Sequence, residues 1–239
     1  MVLFFAEFID QHTALLEEDE FTHCIKVLRN QIGDRIQATN GKGWFAEAEI
    51  AEISNRRAKL HILDSKTIDP LPYKINIGIA APKSKNRWDL LLEKTVETGI
   101  DSITPVQTDN TERTKINTER AHKVMRSAAL QSKRVMHPVL NDAIRLADIV
   151  AQNKDRKVNK LIAHFNTKNK WLSDLELIYN ESLILIGPEG DFSDAEIELC
   201  VANGFVPVNI STNRLRTETA AIVATSQLAT RHHSLQTMR

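Results

Sequence analysis

Asp-Pro-Leu-Pro at positions 69–72 divides the 239-residue chain into two hydrophobic rhythms that one layer of structure cannot satisfy. Before it, LFFAEFI, DRIQAT, WFAEAEI and KLHIL are short runs rich in branched and aromatic residues. WFAEAEI alternates apolar and polar positions, as a half-buried strand does. Asn40-Gly41 lies between two of these runs and is a hairpin-turn dipeptide. One helix is predicted among them, over 20–29, with Phe21, Cys24, Ile25 and Leu28 on one face. This pattern predicts a small β-barrel over 1–70. After Pro72, strands KINIGIA, SITPV, LIAHF, SLILIG and FVPVNI alternate with helices predicted at 86–98, 118–136, 171–179, 193–203 and 217–231. Ser193 and Glu196 form a capping-box pair and Gly204 closes that helix. Strands alternating with helices predict an α/β domain over 73–239, with a mostly parallel sheet covered on both faces.

Charge and composition narrow the function classes. Net charge is zero, yet residues 73–140 carry 12 basic and 7 acidic groups, against 8 and 12 over 1–72. This electropositive stretch can attract phosphates on a neutral protein, and a solvated helix face explains the same charges. No run approaches the roughly 18 consecutive apolar residues of a membrane span. MVLFFAEFIDQH lacks a basic n-region and a small-residue cleavage site, so no signal peptide is expected. Cys24 and Cys200 are too few for a disulfide framework or a zinc site, and read as free buried thiols in a cytosolic protein. His232-His233 has no carboxylate or Cys at ligand spacing and reads as a polar tail rather than a metal site. Neither a dinucleotide fingerprint, nor a P-loop, nor a nucleophile elbow is present.

Two strand–loop–helix junctions in the last sixty residues carry the candidate chemistry. The first is Leu185-Ile186-Gly187-Pro188-Glu189-Gly190-Asp191-Phe192-Ser193. Gly187 and Gly190 allow close backbone approach or positive φ at the carboxyl end of a strand, where open α/β sheets bind ligands. A tight connection without a ligand is the plainer alternative. The second junction, Ile210 to Ala221, packs Arg214, Arg216, Glu218 and three threonines before a helix. A cap at Thr217 or Thr219, with Glu218 complementing the helix dipole, explains the glutamate. It does not explain two arginines at the positive end of that dipole.

GPEG at 187–190 with Phe192-Ser193 and Glu196, followed by RLRTETA at 214–220, resembles the paired signature of the RsmE family. The resemblance runs along nearly the whole chain. It includes His23 to Arg29 with Gly33-Asp34, Pro82-Lys83 with Arg87, Asp89 and Lys94, Glu97 to Ile100, and Gln131-Ser132 with Arg134 and Pro138. It implies a SPOUT-class, S-adenosylmethionine-dependent methyltransferase acting on N3 of a uridine, conventionally U1498, in bacterial 16S ribosomal RNA. The implied fold is an N-terminal PUA-like RNA-binding barrel plus an α/β domain with a C-terminal trefoil knot, in a cytoplasmic homodimer without metal or membrane partner. Carried over, the cofactor site comprises His164, Leu185, Ile186, Gly187, Pro188, Glu189, Gly190, Ile210, Ser211, Leu215, Thr219 and Ala220. Arg216 would stabilise charge on the uracil ring, and Glu218 would take the proton or orient Arg216. Lys26, Arg29, Lys83, Arg87, Arg113 and Arg134 would grip RNA of the small ribosomal subunit. The chain departs from the family's glycines at Asp191 and Ser211, and Ser211 is expected to crowd the cofactor or strain the backbone. An RNA-binding protein without cofactor, or a SPOUT enzyme for another RNA, are the alternatives.

Overall fold

The computed structural model describes residues 2–166 and 168–237, which form two compact units. The first comprises Met1–Pro70 with Arg126–His137, and the second Leu71–Met125 with Pro138–Arg239. The excursion of 126–137 into the first unit was not visible in a division at 70/73.

The first unit is one six-stranded sheet: β1 (Leu3–Phe5), β2 (Glu7–Phe8), β3 (Thr13–Glu17), β4 (Arg35–Thr39), β5 (Trp44–Ser54) and β6 (Arg57–Thr67). Its order is β1-β4-β5-β6-β3-β2, with only the β1–β4 pair parallel. β1 and β2 lie on opposite edges yet are separated in sequence by Ala6 alone, so the sheet must curl until its edges meet. Phe4, Leu16, Ile36, Ile50 and Leu60 fill the interior with six alanines and the Cys24 thiol. The predicted helix at 20–29 is α1 (Glu18–Phe21) running into one π-helical stretch, Thr22–Val27. Asn40-Gly41 begins the β4–β5 connection, where the Asn40 carboxamide oxygen accepts from the Lys42 and Trp44 amides. Gly41 has φ +71°, which glycine adopts without penalty. The 126–137 segment docks here by backbone: Gly43 N donates to Val135 O, and His137 N to Gly41 O.

The second unit is a fully parallel sheet of β7 (Lys74–Ile79), β8 (Ser102–Gln107), β9 (Val139–Leu140), β10 (Ile144–Arg145), β11 (Asn159–Ala163), β12 (Lys170–Trp171), β13 (Glu181–Ile186) and β14 (Val206–Asn209). Its order is β10-β8-β7-β13-β11-β14-β12, and β9 also pairs with β8. Central strands read as near-continuous apolar runs because parallel sheets are covered on both faces. Helices α2 (Lys85–Glu97), α4 (Leu146–Asn153), α5 (Asp194–Ala202) and α6 (Thr217–Thr237) supply that cover, with α3 (Thr118–Gln131) leading into the excursion. Three elements differ from the sequence reading. α3 stops at Gln131, and Lys133 turns left-handed at φ +57°. Residues 171–179 are no helix but the end of β12 and one 3₁₀ turn, Leu172–Asp174. α4 has too short an apolar stripe to stand out in the sequence. His232 is not in a polar tail: it is 1% exposed, its Nε2 lies 2.9 Å from the Ser182 hydroxyl, and Tyr73 stacks on it.

Candidate functional site

Parallel register brings three loops together. β13, β11 and β14 are neighbours, with Ile186 opposite Ala163 and Ala163 opposite Val208, so the loops that follow them emerge side by side. Between them lies a cleft lined by residues of all three loops. Ile186, Val208, Ile210, Leu215 and Ala220 give it apolar walls, and Gly187, Pro188, Glu189, Asn209 and Ser211 complete the lining from the two junctions.

Each loop is tied down by specific bonds. The Thr217 hydroxyl donates to Gly187 O at 3.2 Å, joining the second junction to the first. The Asn209 carboxamide donates to Asn166 O and Asn169 O and accepts from Asn166 N, pinning the β11 loop to β14. Asn110 donates to Asp191 O at 3.1 Å. The predicted capping box is present: Ser193 Oγ accepts from Glu196 N, and the Glu196 carboxylate accepts from Ser193 N. Its other oxygen accepts from Asp109 N at 2.9 Å, so one buried carboxylate anchors two chain segments.

Gly187 and Gly190 are closely approached by side chains, and neither is among the positive-φ glycines. A Cβ on Gly187 would lie 3.1 Å from the Phe192 ring, and one on Gly190 would lie 3.2 Å from Asn110 Cβ. The strain expected at Ser211 falls elsewhere. Among the described residues Ser211 is not left-handed, and its hydroxyl accepts from Asn213 N, whereas Asp191 has φ +63°. Aspartate tolerates that conformation because its side chain bonds locally, here Oδ1 accepting from Phe192 N at 2.8 Å.

Of the twelve expected cofactor residues, His164, Ile186, Gly187, Pro188, Glu189, Ile210, Ser211, Leu215 and Ala220 line the cleft. Leu185, Gly190 and Thr219 do not. Leu185 is fully buried in the core, because the side chain before Ile186 points to the opposite face of the strand. Gly190 is exposed with Asn110 against it, and Thr219 is exposed on α6. Ala163, Phe165, Val208 and Asn209 line it without having been singled out, and Asn213 and Arg214 of the second junction join them. Strand pairing alone would have found Ala163 and Val208; Asn209 carried no signal.

Arg216 is exposed, and its side chain is not part of the cleft wall; its carbonyl accepts from Ala220 N to open α6. Glu218 is 6% exposed, with Oε1 3.7 Å from Arg87 Nε and Oε2 lacking a hydrogen-bond partner. Arg87 also lies 3.8 Å from Glu189, so it spans carboxylates of both junctions instead of standing free for RNA. Lys83 is paired with Glu112 at 2.6 Å, and Arg113 donates to Pro82 O. Lys26, Arg29 and Arg134 belong to the first unit, and Lys83, Arg87 and Arg113 to the second. The electropositive stretch is therefore divided between units and partly neutralised.

The family model described as an RNA methyltransferase domain matches residues 69–229, and that described as an RNA methyltransferase PUA domain matches 16–63. A structure of a probable rRNA-methyltransferase from Porphyromonas gingivalis is 34% identical, with TM-score 0.89 over 98% of this chain and 100% of that one. Ribosomal RNA small subunit methyltransferase E from Neisseria gonorrhoeae, solved bound to S-adenosyl methionine, is 28% identical, with TM-score 0.86 over 97% and 98%. The curated relative of the same name from Rickettsia conorii is 26% identical over 220 residues, 89% of this chain and 88% of that protein. No helix among the described residues is long and apolar enough to cross a membrane. Matches that span both units, and the cleft built by the two junctions that carry the family's signature, establish that this chain belongs to the RsmE family of SPOUT-class RNA methyltransferases.

Proposed function

We propose that this chain uses S-adenosylmethionine to methylate N3 of one uridine in 16S ribosomal RNA. The observation that carries this reading is the cleft at the ends of β13, β11 and β14. Its residues fit the donor: apolar walls for a purine, a buried His164 Nδ1 without a hydrogen-bond partner, and lining charges of two carboxylates and one guanidinium. Bound there, the donor supplies an electrophilic methyl group. The chain's own residues then have three tasks. Ile186, Ile210 and Leu215 hold and orient the purine, and alignment of this kind removes several kcal/mol of barrier. Arg216, exposed beside the cleft, donates to O2 or O4 of uracil as charge spreads there on loss of the N3 proton. Glu218, buried with Oε2 unpartnered, accepts that proton or holds Arg87 in place. N3 is paired in a duplex, so the target uridine must be unpaired or flipped.

The curled first unit, with Lys26, Arg29 and Arg134, grips RNA backbone in this reading, helped by Lys83 and Arg113. The domain organisation follows the same logic: a PUA-like RNA-binding unit over 1–70 with 126–137, and a knotted SPOUT catalytic unit over 71–125 and 138–239. A cytoplasmic homodimer acting on the small ribosomal subunit completes it. Mass mapping of modified nucleosides in ribosomal RNA from a deletion strain tests the assignment. The expected result is loss of one N3-methyluridine from 16S RNA, restored by the wild-type chain. Intact 16S methylation with a methyluridine missing from transfer RNA would move the substrate to that RNA.

A further inference from the structure

Asp191 occupies a left-handed backbone position that glycine takes without cost, and it lines the cleft. Its Oδ1 is spent on the Phe192 amide. Its Oδ2 lies 3.3 Å from His164 Nδ1, out of line for a hydrogen bond, and 4.0 Å from the Arg214 guanidinium, itself largely exposed. One carboxylate oxygen is thus directed towards residues of the cleft wall without a hydrogen bond to either. Glu189, the other carboxylate of the lining, is already drawn towards Arg87 and the Lys83 amide. Asp191 is therefore the lining carboxylate whose ion-pair partners are themselves residues of the cleft wall, whereas Glu189 is paired with Arg87 outside it.

Resting on the donor reading above, we propose that Asp191 is the charge-selective residue of the cleft, favouring the sulfonium donor over the thioether product. In the transfer, the N3 lone pair of the deprotonated uracil forms the new N–CH₃ bond while the S–CH₃ electron pair returns to sulfur. Sulfur passes from +1 to neutral; the adenosine and amino-acid parts are unchanged. A fixed carboxylate within Coulombic reach of that sulfur distinguishes the two states by charge alone. It holds the donor, and it releases its grip once the methyl has gone. An apolar cleft lacking that charge would bind donor and product through the same contacts and would be slowed by its own product.

Asp191→Asn isolates the charge, because asparagine also tolerates the left-handed conformation and keeps an oxygen for the Phe192 amide. The test is calorimetric titration of the wild-type, Asp191→Asn and Asp191→Gly proteins. The ligands are S-adenosylmethionine, S-adenosylhomocysteine and sinefungin, whose ammonium replaces the sulfonium. The wild type is expected to prefer both cations over the neutral product. Both variants are expected to lose about tenfold of that preference, equivalent to about 1.4 kcal/mol, through weaker cation binding with product affinity nearly unchanged. Thermal melts of all three proteins control for folding. An unchanged donor-to-product ratio in Asp191→Asn overturns the proposal and leaves the cleft as the donor site. Failure of the wild type to bind any of the three overturns the donor reading, and the proposal with it.

Discussion

Replacing Glu196 with alanine tests whether one carboxylate holds the ligand loop in place. Glu196 is 8% exposed and accepts hydrogen bonds from Ser193 N and Asp109 N, each at 2.9 Å. A second link between the same segments, Ser193 Oγ to Asp109 Oδ2 at 2.8 Å, survives the substitution. Alanine leaves two amides without their acceptor. Hydrogen bonds to charged groups contribute about 1.5–3 kcal/mol each, so the loss should be about 3 kcal/mol even with partial rescue by water. For a unit of this size that corresponds to a fall of about 6–12 °C in its Tm. Calorimetric melting should show the fall in the second unit's transition alone. Glutamine keeps one oxygen acceptor but turns an NH₂ towards the other amide, so Glu196→Gln should fall between alanine and wild type. S-adenosylmethionine affinity should weaken in the same order, because residues 187–193 are what the carboxylate restrains. An alanine variant within 0.5 kcal/mol of wild type, on the scale of an ordinary surface change, would refute the anchoring role. Equal losses for alanine and glutamine would refute its dependence on a two-oxygen acceptor.

Two further outcomes are expected. Arg216→Ala should lower kcat by about 10²–10³-fold, the scale for losing one donor to a developing oxyanion, with donor Kd unchanged because its side chain does not wall the cleft; wild-type turnover would remove it from that role. His137 titrates at about 4 instead of 6.5, held down by burial first and then by Arg126 and Arg134. Below pH 6.5 the unfolded chain therefore takes a proton that the folded chain refuses, and stability contributed by the neutral ring is lost as pH falls from 6.5 towards 4. His137→Gln should flatten the slope of first-unit stability against pH in that window, and a slope identical to wild type would contradict the assignment.

The capping box at 193–196 was legible because its partners are three residues apart, and the strand–helix alternation because its periods are local. So were both junctions, since a short apolar run ending in Gly-Pro or in a cluster of polar residues announces the end of a strand. Local signals failed where the environment chose the structure. Residues 171–179 have a helical spacing of apolar positions, yet β12 pairs with β14 and takes the first of them. Lys83 and Arg87 looked like free cations because their carboxylate partners, Glu112, Glu189 and Glu218, are distant in sequence. His232 looked terminal and polar, although Ser182 and Tyr73, far earlier in the chain, enclose it.

The sequence by itself determined a strand-rich first part, an α/β remainder and the two chemistry-bearing junctions, because periodicity, turn residues and caps act over a few residues. The tertiary structure alone decided that three strand ends meet at one cleft, that 126–137 folds with the first unit, and that the left-handed burden falls on Asp191 instead of Ser211. These depend on strand order and on which charges come together. Such facts are fixed by packing between distant segments, a free energy that no local window of residues contains.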